Sequence, residues 1–503
     1  MPARSASRQA PVGGWDTREA LADMPGDRAP ILDNWFPSTD KVTVRRGHED
    51  YATGMPAAVE SLLRYVPKTG ADKLFAASDG KIYDVSNSGA VGAAVVSSMT
   101  NNRWQQVQMG TTSNHYLFMF NGADAPRLYD GSSWGTATIT GPTAANLIWG
   151  NLHQRRLWFG EEDSLSAWYF PVNTISGTAV EFSLAGVATL GGYIMAMGTW
   201  TRDAGDGADD VAVFLTSEGE AIVYSGIDPS AAASWSLVGV FRIGKPIGRR
   251  CMIKTGADLV MVTEDGFVSA NTILSLDRSQ AELGALSAQI NKAVNDAVRS
   301  KGTLFGWEPF LYPRGTMLMF NVPQSGTTAH QYVFNTITGA PCRFTGVNGL
   351  CWQLKGDEAY FGTSDGKVCK ADTGATDNGT AIEADGLQAF SYFGAPGTNK
   401  AFKQVEPIFE ADGPPAPALD MNVDFTITTP LGTPTTSPST NLARWDEALW
   451  DDGVWAGSDL VYRSWRGVRG IGRSGALRVR ISSSTSSVSW IATTYTYIPA
   501  GLI

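Results

Sequence analysis

Leu74-Phe75-Ala76-Ala77-Ser78-Asp79-Gly80-Lys81-Ile82-Tyr83 is an apolar run, a tight acidic-glycine turn and a second apolar run. It reads as a β-hairpin: Asp-Gly supplies the positive φ values of a two-residue hairpin turn, and the flanks favour pleated, half-buried strands. The outline returns in 214–223 around Glu218-Gly219, in 260–268 around Asp265-Gly266, and in 360–369 around Asp365-Gly366. Looser copies with longer loops fill the gaps, at 116–120 with 127–129, 156–159 with 165–169, and 317–320 with 331–334. Successive turns lie roughly 40 to 60 residues apart, and a four-stranded propeller blade takes about 40 to 50. The recurrence predicts an all-β fold, a β-propeller of about seven blades.

Outside the repeat the chain changes character. Residues 1–40 read as an extended N-terminal arm, with a short helix signal at Asp16 and Glu19 followed by Pro25, Pro30 and Pro37. The propeller is expected over 41–373, interrupted by one helix at about 280–299, where Ser279 and Glu282 form a capping box and Leu283, Leu286, Ile290, Val294 and Val298 recur at helical spacing. From 374 to 503 a smaller, β-sandwich-like C-terminal domain is expected. There Met421, Val423, Phe425 and Ile427 alternate with polar residues, as do Leu477, Val479 and Ile481 with Arg478 and Arg480. Trp445, Trp450, Trp455 and Trp465 cluster between these strands as core or interface anchors.

Composition narrows the chemistry. With 49 acidic and 39 basic residues the net charge is −10, which disfavours tight non-specific binding to nucleic acid. No run is long enough to span a membrane, and residues 1–14 lack the apolar stretch of a secretory signal. Four scattered cysteines, Cys251, Cys342, Cys351 and Cys369, indicate neither a disulfide framework nor a zinc site.

Each catalytic or ligand-binding motif has a plainer reading. Gly239 to Lys245 fits the start of a phosphate loop, but Pro246 stands where a hydroxyl must hold Mg²⁺. Gly131-Ser132-Ser133-Trp134-Gly135 fits a nucleophile elbow, yet strand residues follow it rather than a helix. His48, His115, His153 and His330 have no ligand spacing, and the acids of 203–210 lack that of an EF-hand. No catalytic residue, metal or cofactor is therefore assigned. Arg463, Arg466, Arg469 and Arg473 punctuate a Gly-rich stretch; phosphate contact is one reading and pairing with Asp446, Glu447, Asp451, Asp452 and Asp459 just upstream is another, and protein contact suits them better.

The arm carries a resemblance. Gly13-Gly14-Trp15-Asp16-Thr17-Arg18, Ala29-Pro30, Asp33-Asn34-Trp35-Phe36-Pro37 and Val44-Arg45-Arg46-Gly47 resemble the opening of the tail nozzle proteins of short-tailed bacteriophages, the tail tubular protein B-like family. Residues 120–126 with 129–134, and 153–160, are similar to the same family. The resemblance implies a virion structural protein rather than an enzyme, assembled in the host cytoplasm. Its partners would be further copies in a homohexameric ring, a tail adaptor beneath the portal, tail fibres or a tail needle, and double-stranded DNA passing through the lumen without tight binding. Subunit or adaptor contacts are expected at Trp15, Arg18, Trp35, Phe36, Trp450, Trp455, Arg463, Arg466, Arg469 and Arg473. A receptor- or glycan-binding tail propeller and a propeller glycoside hydrolase remain open as rival readings.

Overall fold

The computed structural model of the chain describes residues 2–201, 210–275, 284–431, 434, 460–484 and 487–502. Every hairpin read from the sequence forms an antiparallel pair. In the first, Ser78 faces Lys81 and the two turn residues, Asp79 and Gly80, have φ of 52° and 64°. Both are left-handed, the type I′ geometry that matches strand twist. A Cβ on Gly80 would lie 2.6 Å from Met99 O, so close approach also demands glycine there. The other acidic-glycine copies turn differently. Thr263 faces Gly266 directly, making Glu264 and Asp265 the turn residues, and residues 363–367 form a longer loop between Gly362 and Val368.

Five meanders stand as separate sheets, spanning 61–84, 105–136, 147–183, 194–242 and 252–269. Their first strands, Ser61–Tyr65, Gln105–Gly110, Leu147–His153, Ile194–Trp200 and Met252–Thr255, neighbour one another in that order, which is a β-propeller arrangement. Two more meanders, 308–344 and 351–371, carry the cycle on. Glu308–Tyr312 lies between Met252–Thr255 and Cys351–Lys355, and Cys351–Lys355 lies beside Ser61–Tyr65, where the cycle began. His48–Thr53 pairs with Val368–Ala371, so a strand from the start of the chain completes the last meander.

Those two meanders belong to one 14-stranded mixed sheet. Pro341–Phe344 meets Ile31–Asp33 in parallel, and Ile31–Asp33 pairs antiparallel with Thr380–Leu387. Thr376–Asp377 then links Thr380–Leu387 to His48–Thr53. The ends of this path, Glu308–Tyr312 and Cys351–Lys355, are neighbours, so the sheet nearly closes as a barrel. A second, seven-stranded sheet runs from Leu460–Arg463 and Arg466–Gly472 through Thr398–Ala411 and Val488–Leu502 to Arg4–Gln9, Val42–Val44 and Trp35–Pro37.

Apolar side chains fill the spaces between successive sheets. Phe75 and Leu117 share one cluster, Phe120 and Phe159 the next, and Trp158 and Phe214 the one after. The largest cluster joins Phe267, Phe320 and Phe334 to Trp490, Tyr495 and Val479, so the propeller and the C-terminal strands share one core. The C-terminal strands therefore do not form the self-contained sandwich expected from residue 374. The apolar faces of Ile31–Asp33 and Trp35–Pro37 are buried by sheet pairing with them, which draws residues 1–40 out of an extended arm and into both sheets.

The inserted helix also starts later than expected, at Asn291–Lys301 after a 3₁₀ turn, Ala288–Ile290. Leu286 N–H donates to Phe267 O, and Phe267 N–H donates to Ser287 Oγ at 3.0 Å, so residues 286–287 are held against a strand where helix was expected. The capping residues Ser279 and Glu282 and the loop 203–209 lie outside the described residues. At Asp16 the cap forms without a helix: Oδ1 accepts from Arg18 and Glu19 N–H at 2.9 and 3.0 Å, and only turns follow.

Candidate functional site

The N-terminal residues of the resemblance, within 13–47, converge on the junction between the 308–344 meander, Thr380–Leu387 and the closing strand, while 120–134 and 153–160 belong to the separate meanders 105–136 and 147–183. Gly14 has φ 86°, and a Cβ there would lie 2.5 Å from Pro341 O. Trp15 packs edge-on to Tyr332 at 5.2 Å, with the Arg343 guanidinium 5.2 Å from its ring centre. Arg343 donates from Nε and Nη2 to the two Asp33 oxygens, both at 2.7 Å, a bidentate pair. Asn34 adopts φ 59° and connects four segments: its Nδ2 donates to Thr345 Oγ1 and Glu383 O, and its Oδ1 accepts from Arg45 Nε and Thr345 N–H.

Arg45 is buried and donates from both terminal nitrogens to Asp377, at 2.9 and 2.5 Å. Burial pushes the Asp377 carboxyl up, but hydrogen bonds from Arg45 and His48 outweigh it and bring the group down to about 2. Gly47 closes the junction, because a Cβ there would strike the Thr376 carbonyl. None of these pairings was legible in the sequence, since Arg343 and Asp33, or Arg45 and Asp377, are more than 300 residues apart.

Several residues expected at subunit contacts are used inside the chain. Trp35 is 0% exposed against Trp490, with ring centres 6.0 Å apart, and Trp15 is 4% exposed; neither can anchor a partner. Phe36 is half-buried, 6.4 Å from Phe344. The reason is pairing: Trp35–Pro37 and Val42–Val44 form a hairpin against Val488–Leu502, which turns Trp35 into the core. Arg18 remains exposed beside Glu19. Trp450 and Trp455 lie outside the described residues.

Arg463, Arg466, Arg469 and Arg473 are all exposed, and among the described residues none of their guanidiniums meets an acidic group. They flank a strand edge that also shows Val461, Trp465 and Ile471, at 62%, 45% and 68% exposure. Among the described residues this edge is hydrogen-bonded on one side only, to Thr398–Ala411. Apolar and arginine side chains on an unpaired edge have the composition of a contact surface.

The centre of the propeller is a further concave site. Leu62, Gln106, Asn151, Met197, Met252, Glu308 and Gln353, from the successive inner strands, line a cavity of about 260 Å³. Arg250 closes it at one end, donating to Glu308 Oε2 at 2.9 Å, Ser61 Oγ at 2.6 Å, Glu60 O at 3.0 Å and Trp104 O at 3.1 Å. Glu308 is buried. Burial raises its carboxyl, while Arg250 and the Trp352 N–H work against that rise. At the mouth, Glu60 pairs with Arg103 and Glu162 with Arg249, and the ring of Phe305 lies under Arg103 and Arg250.

The remaining motifs resolve into structure. Gly239 to Arg242 is strand, paired with Glu220–Gly226. Asp130 accepts from the N–H groups of Ser133 and Ser132, which hold its carboxyl down to about 2 and form the turn before Trp134. The four cysteines are buried thiols, and among the described residues no group of three or more His, Cys, Asp or Glu side chains converges as a metal site. No helix of the described residues is long and apolar enough to cross a membrane.

No protein-family model and no curated protein matches the chain. Among solved structures it is similar to the computationally designed Ika8 protein, at 12% identity and a TM-score of 0.37, over 70% of this chain and 98% of that one. It is also similar to BBS1N, solved in complex with ARL6DN, at 10% identity and a TM-score of 0.41, over 66% of this chain and 98% of that one. Similarities this loose bear on neither function nor partners.

Proposed function

We propose that this chain is a subunit of the tail nozzle of a short-tailed bacteriophage, a ring of six copies beneath the adaptor and portal that retains genomic DNA and conducts it at ejection. In this reading the propeller has seven blades, the 308–344 and 351–371 meanders being the two built into the mixed sheet. The observation that carries the proposal is the junction. The residues of the resemblance, from Gly14 through Gly47, include the glycines, the bidentate Asp33 and the buried Arg45 that fasten the propeller to the C-terminal sheets.

The propeller's own channel narrows to a cavity of about 260 Å³, too small to pass a duplex, so in this reading the conduit is the lumen between copies. An acidic subunit, at net charge −10, repels DNA phosphates and lets the duplex slide past without adhering. A glycosidase needs two carboxylates free to act on one bond. Here Glu60, Glu162 and Glu308 each face an arginine, and the Phe305 ring that a sugar would stack on lies under Arg103 and Arg250.

The test is depletion of this chain from cells producing the phage. The expected result is heads that package DNA, lack the distal tail and lose their DNA on release. Intact tails on non-adsorbing particles would instead favour the receptor-binding reading.

A further inference from the structure

The seven-stranded sheet has two edges of unlike character. One is the pair of strands Leu460–Arg463 and Arg466–Gly472, with Val461, Trp465 and Ile471 exposed beside Arg463, Arg466 and Arg469. From there the order runs through Thr398–Ala411 and Val488–Leu502 to Arg4–Gln9 at the far side. Three strand steps at about 4.8 Å separate the two edges by roughly 14 Å.

The far edge adjoins an acidic loop. Arg8 donates to Gly26 O at 3.0 Å, which ties residues 17–27 to that side of the sheet. Asp23 and Asp27 are exposed on this loop, and among the described residues neither carboxylate meets a cation. Among the described residues, one side of the sheet thus presents arginines without an acidic partner beside apolar side chains, and the opposite side presents the Asp23 and Asp27 carboxylates, with Arg4 of the edge strand and Arg18 of the loop also exposed there.

We propose that the Leu460–Gly472 edge seats a second copy of the chain, with its arginines against Asp23 and Asp27 of the neighbour. The inference rests on the ring reading and says which surfaces build the ring. Because the two patches differ, the contact is head-to-tail, the kind that repeats from copy to copy and closes when the rotation allows. Charge complementarity selects the partner and sets the register, while Trp465, Val461 and Ile471 supply apolar burial.

The test uses the full chain, with mass measured in solution over a range of concentration and salt. Arg466→Glu with Arg469→Glu, or Asp23→Arg with Asp27→Arg, should each weaken association by about 100-fold or more. Combining all four changes in one chain should restore it to within about tenfold, because opposite charges again face each other. Arg155→Glu, on the exposed turn of a propeller hairpin, should leave association unchanged. All five positions are on the surface, and unaltered tryptophan fluorescence checks that the variants are folded. A ring indifferent to Arg466→Glu and Arg469→Glu overturns this edge while leaving the ring intact as a proposal. Loss of association that the fourfold variant fails to restore also overturns the pairing. A wild-type chain that stays monomeric at about 100 µM overturns the self-contact itself, and imaging of virions then decides the ring separately.

Discussion

Arg250 and Glu308 form an ion pair at 2.9 Å across the inner end of the propeller channel, with their side chains 17% and 8% exposed. Glu308 opens the 308–344 meander and Arg250 lies just ahead of the 252–269 meander; Arg250 also reaches Ser61 and the Trp104 carbonyl, so four parts of the propeller ring meet on one guanidinium. A charge this enclosed is tolerated because its partner and hydrogen bonds come with it.

Removing one partner should therefore cost more than removing both. Arg250→Met leaves Glu308 buried and unpaired, and is expected to destabilise the fold by about 3–5 kcal/mol. Adding Glu308→Leu should recover much of that loss. Denaturant unfolding of the two variants checks it, and a double variant no better than the single one would show that the hydrogen bonds to Ser61 and Trp104 matter more than the pair.

His153 gives the fold an acid limit. It is 1% exposed, and burial lowers its imidazole from 6.5 to about 4. The unfolded chain then takes up a proton between those values that the folded chain refuses. Stability from this group is complete above about pH 6.5 and falls as the pH drops toward 4, by roughly 3 kcal/mol. In His153→Asn, which keeps a polar group for Thr199 but does not titrate, unfolding curves between pH 7 and 4 should show a correspondingly smaller loss.

Trp35 should behave as core. Trp35→Ser empties a fully buried site against Trp490 and is expected to cost about 3–5 kcal/mol, detaching the 35–44 hairpin from the C-terminal sheet. Phe36→Ser, at a half-buried position, should cost much less. Thermal melts of the two single variants separate these effects, and equal losses would contradict the placement of Trp35.

The hairpins were legible because Asp79-Gly80 and its relatives are local: turn chemistry and period-two apolar runs act within ten residues. Closure was not. His48–Thr53 finds its partner in Val368–Ala371, and nothing in either strand names the other. The same distance hid the Arg45–Asp377 and Asp33–Arg343 pairs. Trp15 and Trp35 were expected at subunit contacts; what buries them instead is packing on Tyr332 and Trp490, more than 300 residues away and not visible in their own segment. The arginine stretch from 463 to 473 stood out in the sequence by its Gly-rich spacing, and the structure leaves its four arginines exposed; the acidic loop at the far edge became visible only once Arg8 placed it.

The most direct test of the account is an image of the particle that carries this chain, averaged about the tail axis at a resolution that separates subunits. Six copies of a propeller with attached β-sheets are expected, arranged head-to-tail around an axial lumen below the adaptor. A single copy, a set of copies projecting outward as fibres, or density at the axis filled by the propeller itself would contradict it.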